Sequence, residues 1–269
     1  MRIGNRDFDT DNHTYVMGIL NVTPDSFWDG GKYRGMDVAL GHVAQMIRDG
    51  ADIIDIGGES TRPGATPVEA ADEIERVLPV IEAVRDRFDI PVSLDTYKNT
   101  VAWAGIGAGV DMINDVWGLK GDERMAEVIA QSHVPVCIMH NRENEKYSDI
   151  VTDVISDLKN SIEIASKAGI PDDNIMIDPG IGFAKDHDQN MKLMAHLDEL
   201  RSLGYPVLLG TSRKSMIGQA LDLPADERLE GGLATTAWGM MHGVSFVRVH
   251  DVKEHVRVIR IIEAIREKG

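Results

Sequence analysis

Residues 90–116 read IPVSLDTYKNTVAWAGIGAGVDMINDV. One short apolar run closes at Leu94-Asp95 and a second at Ile113-Asn114-Asp115, with Gly105, Gly107 and Gly109 ending a helix between them. A β-rich run, a polar turn and a helical pattern make one βα unit. The glycines precede a strand instead of following one, so they are not a dinucleotide-binding fingerprint. The same cadence runs the length of the chain, with runs ending near Leu20, Ile56, Leu94, Ile113, Met139, Ile177, Leu209 and Val247. Each pair is separated by enough residues for a crossover helix. Eight such units predict an α/β fold, a (β/α)8 TIM barrel, as a single domain over residues 1–269.

The intervening helices are legible as apolar stripes. Pro67 to Phe88 carries Val77, Val80, Ile81 and Val84, and Asp149 to Ala168 carries Val154, Leu158, Ile162 and Ala165. Residues 1–15 fit neither pattern, and Asp9 to Asn12 reads as a turn between two short strands. An N-terminal β-hairpin closing the barrel bottom is expected. The last helix, Val252 to Ile265, is apolar over two stripes, one of Val252, Val256 and Ile259 and one of Val258, Ile261 and Ile265. The second stripe suits either this chain's own barrel or a homodimer interface.

Composition fits a barrel: 43% of residues are hydrophobic and 5% aromatic, as expected of aliphatic parallel strands covered by helices. A formal charge of -16 argues against nucleic acid or an anionic membrane as the main partner. The one cysteine, Cys137, lies in an apolar run and reads as buried. No apolar stretch approaches the roughly 18 residues of a membrane span. The polar start does not read as a signal peptide, so the cytoplasm is the expected location.

Barrel active sites lie at the C-terminal strand ends, which makes polar residues there informative. Asn21 opens a turn-rich segment after strand one, and Gly57-Gly-Glu-Ser-Thr-Arg-Pro-Gly64 follows strand two, exposing amides and a guanidinium suited to anions. Asp95, Asn114 and Asp178 end strands three, four and six. Gly210-Thr-Ser-Arg-Lys-Ser215 follows strand seven and Arg248-Val-His250 ends strand eight. The ring has two halves: Asp95, Asn114 and Asp178 suit a polar heterocycle, whereas Arg62, Lys214, Arg248 and His250 suit phosphates. Asn21 can give an amide oxygen to Mg²⁺, which keeps its waters and bridges substrate phosphates. Asp55 reads as a paired carboxylate of the barrel interior and His140 as a hydrogen-bonded structural histidine. The 210–215 segment lacks the glycine before its lysine that a P-loop requires.

Seven segments in this order resemble dihydropteroate synthases: Asn21-Val-Thr-Pro-Asp-Ser-Phe27, Gly57 to Gly64, Ser93-Leu-Asp-Thr96, Ile113-Asn-Asp-Val116, Asp178-Pro-Gly-Ile-Gly-Phe183, Gly210 to Ser215 and Arg248 to His250. The resemblance implies that a pterin diphosphate and p-aminobenzoate condense to dihydropteroate and diphosphate. It further implies that Asp95, Asn114, Asp178 and Lys214 contact the pterin, with Gly182 and Phe183 shaping its pocket. Asn21, Arg248 and His250 would serve Mg²⁺ and diphosphate, while Phe27, Thr61, Arg62, Pro63 and Ser215 would define the p-aminobenzoate side. Trp28, Met216 and the segment Asn141 to Tyr147 depart from the usual pattern of that family. A methyltetrahydrofolate-dependent methyltransferase and a silent pterin-binding paralogue are the alternatives; the former has no need of the phosphate-binding groups.

Overall fold

A computed structural model of the chain describes residues 1–22, 32–60 and 66–268. The barrel strands are β1 (Tyr15–Asn21), β2 (Ile53–Gly57), β3 (Val92–Asp95), β4 (Met112–Asp115), β5 (Val136–Met139), β6 (Ile175–Asp178), β7 (Leu208–Leu209) and β8 (Phe246–Val249). Each pairs in parallel with its sequence neighbour from β1 to β6, β8 pairs with both β1 and β7, and a parallel bridge between Ile177 and Val207 joins β6 to the segment entering β7. The ring is therefore closed, and the expected (β/α)8 barrel is what the chain forms. The helices are α1 (Lys32–Asp49), α2 (Ala70–Arg87), α3 (Asn99–Gly107), α4 (Met125–Ser132), α5 (Ile150–Ala168), α6 (His187–Ala195), α7 (Leu197–Arg201), α8 (Ser215–Leu221), α9 (Leu229–Met241) and α10 (Val252–Arg266). Among the described residues, no helix is long and apolar enough to cross a membrane.

Strand side chains alternate between the barrel interior and the helix layer. Val16, Ile54, Ile56, Leu94, Ile113, Ile138, Ile177 and Val247 face outward into one large apolar cluster with the helices. Met17, Ile53, Met112, Cys137, Met176, Leu208 and Phe246 instead fill the lower interior, joined by Ile3 and Phe8 from the N-terminal segment. Cys137 is buried there, as its apolar run implies. That plug closes the bottom and leaves the next interior layer, two residues further along each strand, for chemistry.

The N-terminal hairpin exists, but its turn is not where the sequence suggested. Arg2–Ile3 pairs antiparallel with Arg6–Asp7, and Gly4, at φ +57°, supplies the tight turn. The Asp9–Asn12 turn follows the hairpin and leads into β1, its Asp9 carboxylate accepting the backbone and side-chain N–H groups of Asn12. α2 begins at Ala70, three residues after the expected Pro67. α5 begins with Asp149 as its cap, accepting the Thr152 N–H at 3.0 Å. α10 buries Val252, Val256 and Ile259, whereas Ile261 and Ile265 are 58% and 65% exposed.

Candidate active site

The site follows from the strand period of two. Advancing two residues from Ile53, Ser93, Met112, Met176 and Phe246 gives Asp55, Asp95, Asn114, Asp178 and Arg248, so the layer above the apolar plug is polar. Arg248 lies across this layer: its Nε donates to Asp55 Oδ2 at 2.6 Å and its Nη2 to Asp95 Oδ2 at 2.7 Å. Asn114 Nδ2 stands 3.5 Å from the same Asp55 oxygen. The second carboxylate oxygens, Asp55 Oδ1 and Asp95 Oδ1, are buried with no hydrogen-bond partner, as is Ser93 Oγ. A buried acceptor left unpaired costs about 1–3 kcal/mol, so the free oxygens of Asp55 and Asp95, both beside Arg248, are open to the N–H or O–H donors of a ligand or water.

The charges of this layer are set by desolvation working against close partners. Burial pushes the Asp95 carboxyl up to about 7, with Arg248 pulling it down and Asp55 pushing it further up. Asp178 is also raised by burial, opposed by Lys214, by the Gly180 N–H and by Lys185. Burial lowers the ammonium of Lys214 to about 8 and that of Lys185 to about 7. Arg248 is held more firmly protonated by Asp55 and Asp95 despite its desolvation. Asp115, next to Asn114, has a different task. Its carboxylate accepts the N–H groups of Trp117 and Leu119 at 2.8 and 2.7 Å and so fixes the turn after β4.

One wall is the segment 178–185. Asp178 Oδ1 accepts the Gly180 N–H at 2.6 Å, and the Gly182 N–H is held by Asn190 Oδ1 at 2.7 Å. Gly180 has φ +68°, and a Cβ there would sit 1.9 Å from the His140 carbonyl oxygen, so no side chain fits. Lys214 donates to the Ile181 carbonyl, and its Nζ lies 4.5 Å from the centre of the Phe183 ring, a cation–π contact. The lysine, the ring and Gly182 thus form one surface beside Asp178.

The other wall joins the loops after β7 and β8. Ser212 Oγ lies 3.0 Å from His250 Nδ1 and accepts the His250 N–H at 3.2 Å. Arg213, at φ +60°, makes a two-pronged pair with Asp251 at 3.1 and 2.6 Å. Lys214 and His250 therefore come from two loops locked to each other. Asn21 stands exposed at the end of β1, paired in register with Gly57. Ser215 is exposed at the start of α8. Among the described residues no group of three or more His, Cys, Asp or Glu side chains is placed to hold a metal ion.

The structure thus brings together Asp95, Asn114, Asp178, Gly182, Phe183, Lys214 and Arg248, with His250 at the rim beside Ser212. Arg248, expected beside phosphates, here ties two carboxylates. Phe27, Thr61, Arg62 and Pro63 lie outside the described residues, as does Trp28. Asp55 is the paired interior carboxylate foreseen, although only one of its two oxygens finds a partner. His140 is the buried, hydrogen-bonded histidine that was expected, 3.1 Å from Asp157. Lys185 was missed: a lysine in a loop reads as solvated, and only the folded chain shows it 6% exposed.

Comparison with known proteins agrees with this geometry. Residues 17–250 match the model of the pterin-binding enzyme family. The chain is 54% identical to a dihydropteroate synthase of Clostridium beijerinckii over 266 residues, covering 98% of this chain and 99% of the relative. Its fold matches a crystal structure of dihydropteroate synthase from Clostridium difficile in the presence of pteroic acid. There the TM-score is 0.94 at 50% identity, over 96% of this chain and 99% of that one. A dihydropteroate synthase of Xanthomonas albilineans with 4-aminobenzoic acid matches with a TM-score of 0.91 at 41% identity, over 95% and 94% of the two chains. Similarity of this extent, carried by a barrel whose strand ends hold the polar layer, places the chain in the dihydropteroate synthase family of pterin-binding enzymes.

Proposed function

We propose that this chain joins 6-hydroxymethyl-7,8-dihydropterin diphosphate to p-aminobenzoate, giving 7,8-dihydropteroate and diphosphate. The observation that carries the reading is the polar layer itself. Two buried, unpaired carboxylate oxygens, Asp55 Oδ1 and Asp95 Oδ1, sit in one layer with Asn114, Asp178 and the Arg248 guanidinium, and the Lys214 ammonium stands beside it on the Phe183 ring. An aminopyrimidine ring offers the N–H donors that such oxygens lack, and a diphosphate tail is drawn to these cations. The relatives crystallised with pteroic acid and with 4-aminobenzoic acid support the same pair of substrates.

In this reaction the bond between the pterin methylene and the diphosphate oxygen breaks, a C–N bond to the aryl amine forms, and the amine loses a proton. The aryl amine is a weak nucleophile, so departure of diphosphate runs ahead of its attack and positive charge spreads into the pterin ring. Asp95, Asn114 and Asp178 hold the ring, and the Asp95 carboxylate opposes that developing charge. Lys214, on the Phe183 face, adds a donor to the ring. Arg248 and His250 stabilise the leaving anion. Ser215, with Phe27, Thr61, Arg62 and Pro63 from outside the described residues, is what the family resemblance assigns to p-aminobenzoate.

The residues fit Mg²⁺ carried on substrate better than a resident metal, because Asn21 offers an amide oxygen and a hydrated Mg²⁺ needs only one or two protein ligands. When bound, the ion neutralises diphosphate charge. The exposed Ile261 and Ile265 of α10, with Trp238 and Met241 of α9, suit a homodimer interface. We place the reaction in the cytoplasm; because the chain as a whole carries a charge of -16, its anionic substrates must be met by a local cationic cluster. The test is dihydropteroate formation by the purified chain with and without Mg²⁺. Mg²⁺-dependent product is expected; pterin binding without product would point to the silent paralogue.

A further inference from the structure

Lys185 and His140 have no place in the reaction as drawn, yet both are almost fully buried, at 6% and 1% exposure. The Lys185 ammonium has three N–H groups, and each is matched. Nζ lies 2.9 Å from the Gly180 carbonyl oxygen, 2.9 Å from that of Phe183 and 2.9 Å from His140 Nδ1. The Asp157 carboxylate can only accept, so the proton of the neutral His140 ring sits on Nε2 and Nδ1 is left to accept from Lys185. That N–H then donates to Asp157 Oδ2 at 3.1 Å, and Arg142 Nε donates to the same oxygen at 2.6 Å. The chain Arg142–Asp157–His140–Lys185 thus ends on two carbonyls of the loop that carries Asp178, Gly182 and Phe183. The same loop lies against the backbone of His140, since a Cβ on Gly180 would meet the His140 carbonyl oxygen at 1.9 Å. The Lys185 charge also acts on the Asp178 carboxyl, lowering it against the rise caused by burial.

We propose that Lys185, oriented by His140, is a positioning residue that sets the pterin-facing loop from Asp178 to Phe183 and so determines pterin affinity. It touches no reacting atom. The proposal rests on reading this layer as the pterin site. A loose loop would misplace the Asp178 carboxylate and the Phe183 ring while leaving the p-aminobenzoate side as it was. A purely structural lysine would instead change thermal stability and the active fraction without altering either KM.

The experiment is steady-state kinetics with both substrates on wild type, Lys185→Met, His140→Leu and His140→Gln, each also followed by thermal melting. Losing charge-assisted bonds in Lys185→Met should raise the pterin diphosphate KM by about tenfold or more and leave the p-aminobenzoate KM within about twofold. His140→Leu, which offers Lys185 no acceptor, should raise the pterin KM several-fold, whereas His140→Gln supplies both an acceptor and a donor and should restore it. If Lys185→Met fails to fold, the two His140 variants decide. A folded Lys185→Met with an unchanged pterin KM, or His140→Leu and His140→Gln behaving alike, would overturn the proposal. Wild type that neither binds nor turns over pterin diphosphate would instead remove the functional reading on which it rests.

Discussion

Asp95 has one oxygen on Arg248 and the other buried without a partner, and burial has pushed its carboxyl up to about 7. Replacing it with Asn keeps the shape and removes the charge. If that charge opposes the cationic pterin, Asp95→Asn should lower kcat by about 10²–10³-fold, the usual loss for one preorganised electrostatic group. Full turnover would show that the residue only binds. Lys214 gives a second test through pH. Its ammonium, lowered to about 8 by burial, is charged below that pH and neutral above it. Turnover at low pterin concentration should therefore fall as pH rises through about 8, and Lys214→Arg, always charged, should move that limb upward. Identical alkaline limbs would exclude Lys214 as the titrating group. Asp95, Asn114, Asp178 and Arg248 were legible in the sequence because each lies at the end of an apolar run, where a barrel puts its chemistry, and Lys214 because it lies in the polar loop that follows one. Lys185 was not, because its burial depends on a loop folding back over His140, and Asp55 gave no sign that one of its oxygens would stay unpaired.

At the level of elements, strand ends were readable to within about two residues because β-rich runs stop abruptly at glycine or a carboxylate. Helix starts were less so: nothing in the sequence makes the extended segment before Ala70 different from a first helical turn. The hairpin turn was misplaced because Asp9 to Asn12 has stronger turn chemistry than Gly4-Asn5, although only the latter joins paired strands. The α9–α10 contact carries its own prediction. His255 on α10 is buried with Nδ1 2.8 Å from Thr236 Oγ1 on α9, and desolvation lowers its ionisation from the ordinary 6.5 to about 4. The folded chain keeps it neutral while the unfolded chain takes up a proton below 6.5. Its share of stability is therefore complete above about 6.5 and lost as pH falls toward 4. His255→Gln can keep the hydrogen bond and cannot titrate. Melting curves from pH 7 to 4.5 should show a smaller fall in Tm for the variant than for wild type, and parallel falls would refute the assignment.

For the whole molecule, the barrel was legible from the eightfold recurrence of one unit, whereas the layering of its interior emerged only with the folded chain. The association state was not, because a second apolar stripe on α10 suits a helix layer and a partner equally well until the chain is folded. Folding leaves Ile261 and Ile265 exposed, so the dimer becomes a concrete expectation. Sedimentation at micromolar concentration should give a dimer, and Ile261→Glu with Ile265→Glu should give monomer. Monomer for wild type would end that idea. The reaction itself is tested most directly by following diphosphate and dihydropteroate together in one Mg²⁺-containing mixture of purified protein, pterin diphosphate and p-aminobenzoate. The expected result is equal amounts of the two products, with none of the pteroate when p-aminobenzoate is left out. Diphosphate released without pteroate, or pterin bound with neither product formed, would contradict the assignment of this strand-end layer as a dihydropteroate-forming site.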